Sequence, residues 1–167
     1  MRGGEYMPYY KDKNNNIHFL DNEKFEQLLP SGCLKITDIE ANAIQNPPLT
    51  LDQAKANKLT DLANYRYEKE CGGTTVSGME IKTDRESQAK ISGAVALAIQ
   101  IPTMTFNWKS KKGFVALDKT QITAIGQAVG VFVQACYTNE MAHAKAIEAL
   151  TTVAAIEAYD ITTGWPG

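Results

Sequence analysis

Two histidines and three cysteines are the side chains of this 167-residue chain best suited to chemistry. Cys136 and His143 fall on one predicted helix, where their spacing separates them by about 10.5 Å along the axis. A thiolate–imidazole pair needs contact at about 3 Å. We therefore interpret Cys136 as a buried structural thiol and His143 as a surface residue. His18 has no neighbouring ligand at zinc spacing, so we predict no metal site.

A charge cluster and a glycine pair are the next candidates. Asp84, Arg85 and Glu86 precede an apolar helical pattern, and Thr83 with Glu86 has the spacing of a capping box. Acidic residues at such a position also favour the positive end of a helix. The pair Gly72-Gly73 lacks the GxxxxGK[ST] and GxGxxG spacings that hold phosphate groups. We interpret these residues as helix caps and turns, and we predict no catalytic residue and no cofactor.

The stretch DKTQITAIGQAVGVFVQACY is the pattern around which the other elements are organised. Asp118 and Gln121 have capping-box spacing at its start. Gly126 and Gly130 lie one turn apart, and each costs a helix roughly 0.8–1 kcal/mol relative to alanine. The two glycines suggest that another element approaches the helix backbone closely. The alternative is that they arose by neutral drift. Apolar residues recur in steps of three and four, typical of one buried helical face: Ile122, Ile125, Val129, Phe132, Val133, Cys136 and Tyr137.

The remaining patterns predict an α+β fold in three parts. Residues 7–46 combine an aromatic run, an Asn-rich turn and an apolar run, typical of a β-hairpin, with a further strand and short helices. Two prolines open residues 47–70, and a thinly apolar helix follows, so we predict a linker helix there. Residues 71–167 are predicted to form a domain in which helices 84–99 and 119–147 pack on two short hairpins.

The composition of the chain argues against a nucleic-acid partner and against a membrane-spanning helix. The chain is 44% hydrophobic and 22% charged, as in ordinary folded domains. The net charge of −2 and the absence of a basic patch argue against a nucleic-acid partner. No apolar run approaches the ~20 residues of a membrane helix. Unpaired cysteine spacing indicates reduced thiols of a cytoplasmic protein.

The first residues raise a hypothesis about the start of translation. The codons for MRGGEY can contain an AGGAGG run shortly before the codon for Met7, as in a bacterial ribosome-binding site. We therefore hypothesise that translation starts at Met7 rather than at Met1. The source would then be a bacterium or its virus.

Five short segments between Tyr65 and Pro166 carry a resemblance to a known family. They are RYEKECGG (66–73), VSGMEIKTDRESQ (76–88), FNWK (106–109), FVQACY (132–137) and ITTGWP (161–166). Together they resemble a domain family of unknown function that is common in the tail-fibre operons of phages and prophages. Because the family has no agreed catalytic residue, the resemblance implies none here.

Residues 7–64 resemble the front of phage tail-fibre assembly proteins. The resemblance lies in the Tyr9-Tyr10 strand, in the helix start ITDIE (36–40) and in the Pro-Pro linker. It implies a non-enzymatic protein that binds the distal part of a trimeric tail fibre in the host cytoplasm, and that either leaves the virion or stays on its tail. The alternatives are a structural tail or baseplate module that binds another tail protein, and a glycan-acting hydrolase, which would need two carboxylates across a cleft. The oligomeric state stays open.

Four aromatic residues are the predicted contacts with the partner. The N-terminal module has few apolar residues, so we expect a partner to complete its burial. Tyr9, Tyr10 and Phe19 are the predicted anchors because aromatic side chains bury a large area with few rotatable bonds. Their alternative role is the core of the module. Trp165 is the competing contact, and its alternative is docking on its own domain.

Overall fold

The computed structural model describes residues 8–110 and 113–167, and the hypothesis of a start at Met7 concerns residues outside these ranges. The chain forms two units, Met1–Thr50 and Leu51–Gly167. Helices combine with small antiparallel sheets, so the predicted α+β class is confirmed.

The first unit is built on a three-stranded antiparallel sheet of order β2-β1-β3. Its strands are β1 (Tyr9–Lys11), β2 (Ile17–Phe19) and β3 (Leu34–Ile36), which confirms the predicted hairpin and third strand. Asp12 closes the hairpin turn, because its carboxylate accepts hydrogen bonds from the amides of Asn14 and Asn16 at 2.8 and 2.9 Å. Asn15 supplies the positive φ of 61° that the turn requires.

Two short helices complete this unit. A 3-10 helix spans Glu23–Leu28, and its N-cap Asn22 accepts a hydrogen bond from the amide of Lys24 at 3.0 Å. Helix α1 (Asp38–Gln45) begins at the helix start ITDIE, where Thr37 and Glu40 form a reciprocal capping box.

The second unit combines helices with two β-ribbons. Its elements are α2 (Leu51–Cys71), β4 (Thr74–Val76), β5 (Met79–Ile81), α3 (Arg85–Gln100), β6 (Phe106–Ser110), β7 (Gly113–Leu117), α4 (Lys119–Ala149) and α5 (Val153–Ala158). Helices α2 and α3 both pack against α4, and α5 packs against α2. Each ribbon is a separate two-stranded antiparallel sheet, β4 with β5 and β6 with β7.

Two local expectations change in this unit. The helix that we assigned to a linker, α2, belongs to the second unit, where its Leu62 is 1% exposed. The N-cap of α3 is Asp84 rather than Thr83.

Asp84 caps α3 through two hydrogen bonds with Ser87. Its carboxylate accepts hydrogen bonds from the amide of Ser87 at 2.9 Å and from the hydroxyl of Ser87 at 2.8 Å. These bonds lower the pKa of the Asp84 carboxyl because they favour its charged form. The predicted capping box of Thr83 and Glu86 is therefore wrong.

The main core of the second unit lies between α3, α4 and the ribbons. Gly126 is the point of closest approach, because a Cβ there would lie 2.6 Å from Cγ2 of Val95 on α3. The close approach that the sequence predicted is confirmed at this position. Gly130 has no atom within 4 Å of such a Cβ, so no approach occurs there.

We expect alanine at the two α4 glycines to have opposite effects on stability. Gly130→Ala should raise the free energy of unfolding by roughly 0.5–1 kcal/mol, because it restores helix propensity in open space. Gly126→Ala gains the same propensity but must displace the stiff, β-branched Val95, and overpacking of this kind costs about 1–3 kcal/mol. Urea unfolding of both variants measures the difference. Equal stability of the two variants would contradict tight packing at Gly126.

Candidate functional site

A buried ion network joins α2 to α4. Arg66 on α2 donates from Nη1 to the carboxylate of Glu70, one turn further along, and from Nε to Oε2 of Glu140 on α4 at 3.1 Å. The side chains of Arg66, Glu70 and Glu140 are 13%, 7% and 23% exposed. Buried charges of this kind are stable when they are paired and hydrogen-bonded.

Hydrogen bonds extend the network to α3 and to the β4–β5 ribbon. Gln88 on α3 donates from Nε2 to Oε1 of Glu70 at 3.1 Å and to the carbonyl of Thr83 at 2.7 Å. The hydroxyl of Thr83 donates to the carbonyl of Glu70 at 2.5 Å and accepts from the amide of Gly73 at 2.9 Å. Thr83 is fully buried, and its hydroxyl gives a partner to two backbone groups at the C-terminal end of α2, the carbonyl of Glu70 and the amide of Gly73.

The surroundings keep the guanidinium charged. Burial by itself would lower the pKa of Arg66, but Tyr137, Glu140 and Glu70 together raise it. The ring of Tyr137 lies under the guanidinium, 4.6 Å from its central carbon, in cation–π geometry. Glu70 and Glu140 therefore both pair with one permanently charged guanidinium, which links α2 to α4.

Cys136 lies fully buried beside this network. Burial raises the pKa of its thiol, and the charge of Glu70 raises it further. A thiol in these surroundings stays protonated and unreactive, because the thiolate is the nucleophilic form. The predicted buried structural thiol is confirmed.

His143 is buried rather than exposed, so the predicted surface position is wrong. Its Nε2 lies 3.0 Å from the carbonyl of Thr163, and its Nδ1 lies 2.8 Å from the hydroxyl of Tyr159. Because a carbonyl accepts and cannot donate, Nε2 donates to Thr163, and the hydroxyl of Tyr159 is the partner of Nδ1. Both ring nitrogens thus have a hydrogen-bond partner, and the imidazole holds the C-terminal segment (residues 159–166) on α4.

Trp165 docks on the same histidine. Its ring stacks on that of His143, with centroids 5.9 Å apart and planes 18° apart, and it meets the edge of Tyr65 at 5.5 Å. Its indole N–H donates to the carbonyl of Ile161 at 2.8 Å. Trp165 is therefore docked on its own domain in this structure, because its indole N–H and its ring contact other residues of the same unit.

Gly164 explains why the ITTGWP segment turns at that point. Its φ of 75° lies in the region that favours glycine, and a Cβ there would lie 2.9 Å from Oδ1 of Asn139. Asn139 in turn donates from Nδ2 to the carbonyl of Thr163 at 3.1 Å. A glycine is thus required for the segment to lie close to α4.

The predicted anchors of the N-terminal unit occupy different surroundings. Tyr10 is 4% exposed and donates its hydroxyl hydrogen to Glu26, so it belongs to the core of the unit, and its assignment as an exposed anchor is corrected. Strand alternation turns Tyr10 inward, away from the face that carries its neighbour Tyr9, which is half-buried. Phe19 is 63% exposed on the edge strand β2.

Sequence reasoning missed the ion network. Arg66 and Glu70 have the spacing of a helical ion pair, which was the available signal. Their partners Glu140 and Gln88 are remote in the chain. Among residues 8–110 and 113–167, no group of three His, Cys, Asp or Glu side chains is placed to hold a metal ion. The same ranges contain no helix of the length and apolarity needed to cross a membrane.

We expect Gly164→Ala to loosen the docked C-terminal segment. A side chain at this positive φ costs about 1–2 kcal/mol and also crowds Asn139. In a Trp108→Phe background, which leaves Trp165 as the single tryptophan, acrylamide should quench the fluorescence more strongly in Gly164→Ala. Gly167→Ala is the control, because a Cβ at Gly167 meets nothing within 4 Å. Equal quenching in the two variants would show that docking does not depend on this turn.

Comparison with known proteins places most of the second unit in a family. The profile of a family described as "Domain of unknown function (DUF4376)" matches residues 53–163, which is more than half of the chain. Comparisons with curated proteins and with solved structures gave no significant match. The matched range contains the whole ion network and His143, and it confirms the predicted membership of a domain family of unknown function. The chain belongs to the family described as Domain of unknown function (DUF4376).

Proposed function

We propose that this protein is a non-catalytic binding protein that assists the assembly of a phage tail fibre. Its N-terminal unit would bind the distal part of the trimeric fibre. The observation that carries the proposal is the large share of apolar side chains that this small unit exposes. The fibre as partner is supported by the sequence resemblance of residues 7–64 to tail-fibre assembly proteins.

The N-terminal unit buries few of its large apolar residues. Four apolar residues of its described part are buried, namely Pro8, Tyr10, Ile36 and Ala41. Exposed large hydrophobics outnumber them. They are Phe19, Phe25, Leu28, Leu34, Ile39 and Leu49, each between 42% and 82% exposed. A unit of this size gains little stability from its own burial, so a partner surface that covers these residues would stabilise it.

The sheet of this unit offers two edges and an apolar face. In the register, Tyr9 lies opposite Phe19 on one side and Ile36 on the other, so these three share one face, on which Ile36 is buried and Phe19 is exposed. Leu34, two residues before Ile36, lies on the same face. Strands β2 and β3 are the edge strands of the sheet. An extended segment of a partner can pair with such an edge while its alternate side chains contact the exposed Phe19 or Leu34.

The second unit, Leu51–Gly167, is called the C-terminal domain from here on, and its polar groups differ from those of a binding surface. Its polar side chains of chemical interest, in the ion network and at His143, are bonded to one another or to the backbone. Because these polar side chains already have hydrogen-bond partners within the chain, they support a scaffold role for the domain. Under the proposal it folds by itself and carries the binding unit, in the cytoplasm of the bacterial host during assembly. Mass spectrometry of purified virions then distinguishes a factor that leaves from one that stays on the tail.

We expect fibre assembly to depend on Phe19. The test is co-expression of the full chain with a tail-fibre gene from the same genome, with the yield of soluble trimer as the readout. Phe19→Ser should weaken binding of the fibre about tenfold or more and so lower the yield of trimer, because truncation of an aromatic residue at the centre of an interface costs ~2 kcal/mol or more. Phe114→Ser is the matched control, because Phe114 is 75% exposed in the C-terminal domain.

Two results would contradict the proposal. A trimer yield that is unchanged when the protein is omitted would refute its role in assembly. If the protein raises the yield but Phe19→Ser and Phe114→Ser behave alike, the assembly role stands and the assignment of the N-terminal apolar face as the contact fails.

A further inference from the structure

Two backbone hydrogen bonds at the ends of the β1–β2 hairpin show which way the backbone groups of β2 point. The amide of Leu20 donates to the carbonyl of Pro8 at 3.3 Å, and the amide of Asp12 donates to the carbonyl of Asn16 at 3.1 Å. In an antiparallel pair of strands, opposite residues that exchange hydrogen bonds alternate with opposite residues that do not. These two bonds therefore fix the alternation along the whole hairpin.

Ile17 and Phe19 direct their backbone groups away from the sheet. By the alternation, His18 in the middle of β2 exchanges hydrogen bonds with Tyr10, and its two neighbours lie opposite β1 in pairs that are not hydrogen-bonded. Each of these neighbours carries one N–H and one C=O, so four backbone groups point outward from β2. Among the described residues, no strand pairs with that side of β2.

The other edge strand, β3, presents fewer backbone groups. Because Tyr10 bonds β2, the residues before and after it bond β3, where their opposite residues are Ile36 and Leu34. Lys35, between these two, is therefore the one residue within β3 whose backbone groups point outward. Its side chain forms an ion pair with Glu23, and a lysine on an edge strand is a common protection against pairing with another chain.

Strand β2 lacks the features that usually prevent pairing at an edge. Its three residues, Ile17–Phe19, include no lysine and no proline, and they pair with β1 without a bulge. His18 is its one ionisable residue, and strand alternation places it on the face opposite to Phe19. Phe19 is 63% exposed, so apolar surface lies beside the outward backbone groups. This combination suits an extended peptide better than a helix.

We propose that the fibre segment bound by this protein is extended and joins the three-stranded sheet as a fourth strand beside β2. The inference deepens the function proposed above and rests on it. The backbone of the segment bonds the outward groups of Ile17 and Phe19, as in other cases of strand addition. Every second side chain of the segment lies on the face that carries Phe19, where an apolar or β-branched residue makes the cross-strand contact.

A second copy of this chain is the alternative occupant of the edge. Twofold pairing of two β2 strands would bond Ile17 of each copy to Phe19 of the other, and it would place the two His18 side chains opposite each other. Protonated histidines in that position repel, and three residues per copy bury little area for a stable dimer. The fibre avoids this limit, because its contacts with the other exposed apolar residues of the unit add to the strand pairing.

The first test is amide hydrogen exchange of the full chain, alone and bound to the trimeric tail fibre from the same genome. Exchange in the complex is quenched and then measured for each residue by NMR. The amides of Ile17 and Phe19 should exchange at least about tenfold more slowly in the complex, because each then donates to the added strand. The amide of His18 is the internal reference, since it already donates to Tyr10. Slower exchange at Lys35 alone, or no change at either edge, would overturn the proposal.

The same experiment separates this inference from the proposed function. If the wild-type chain does not bind the fibre, both fail. If it binds the fibre and raises the yield of trimer while Ile17 and Phe19 exchange as in the free chain, the proposed function stands and strand addition is refuted. If these two amides are protected in the free chain, and more so at higher concentration, a second copy occupies the edge and the proposal is overturned.

A second test removes one outward amide. Ile17→Pro deletes an N–H that points away from the sheet, a position at which an edge strand tolerates proline. It should weaken fibre binding at least about tenfold relative to Ile17→Ala, which loses the same side chain but keeps the amide. Lys35→Pro is the matched change at the other edge, and it should bind the fibre as Lys35→Ala does.

Protection of the His18 amide shows whether the hairpin is intact in Ile17→Pro. Equal fibre binding by Ile17→Pro and Ile17→Ala, with the hairpin intact, would contradict strand addition at β2. A loss of binding in Lys35→Pro but not in Ile17→Pro would assign the fibre to β3 and overturn the proposal. The exchange experiment requires no variant, and it decides the question if proline disturbs the hairpin.

Discussion

The guanidinium of Arg66 is the group on which the C-terminal domain depends. It remains charged although it is largely removed from water, so it requires carboxylate partners at short range. Glu70 comes from its own helix and Glu140 from α4, and Glu70 is fixed in turn by Gln88 of α3. A shift of α2 relative to α4 would separate Arg66 from Glu140. A shift of α3 would separate Gln88 from Glu70. The network therefore favours one arrangement of the three helices.

Local elements of the fold were predictable because their causes are local. The strands at residues 9–11 and 34–36, and the capping boxes at Thr37 and Asp118, depend on residues within one or two turns. The burial of His143 was not predictable, because it results from the return of the C-terminal segment from α5. The links from residue 66 to 140 and from residue 70 to 88 are likewise tertiary, and helical spacing alone signalled the Arg66–Glu70 pair.

The motifs that carry the family resemblance are largely structural in this fold. RYEKECGG supplies Arg66 and Glu70, and VSGMEIKTDRESQ supplies the buried Thr83 with Gln88. ITTGWP supplies the turn and the docked ring of the C-terminal segment. In this chain these segments therefore hold the C-terminal domain together. The surface proposed for binding lies on the N-terminal unit and consists of apolar residues that the chain itself leaves exposed.

The most direct test of this account is the free energy of unfolding of Arg66→Met, Glu70→Gln and the double variant in urea. Arg66→Met should lose about 3–5 kcal/mol, because Glu70 is left buried without its cation. Adding Glu70→Gln to Arg66→Met should recover at least ~1 kcal/mol, since the unpaired charge is then removed. If Arg66→Met stays within ~1 kcal/mol of the wild-type chain and the two substitutions are additive, the ion network does not hold the three helices together.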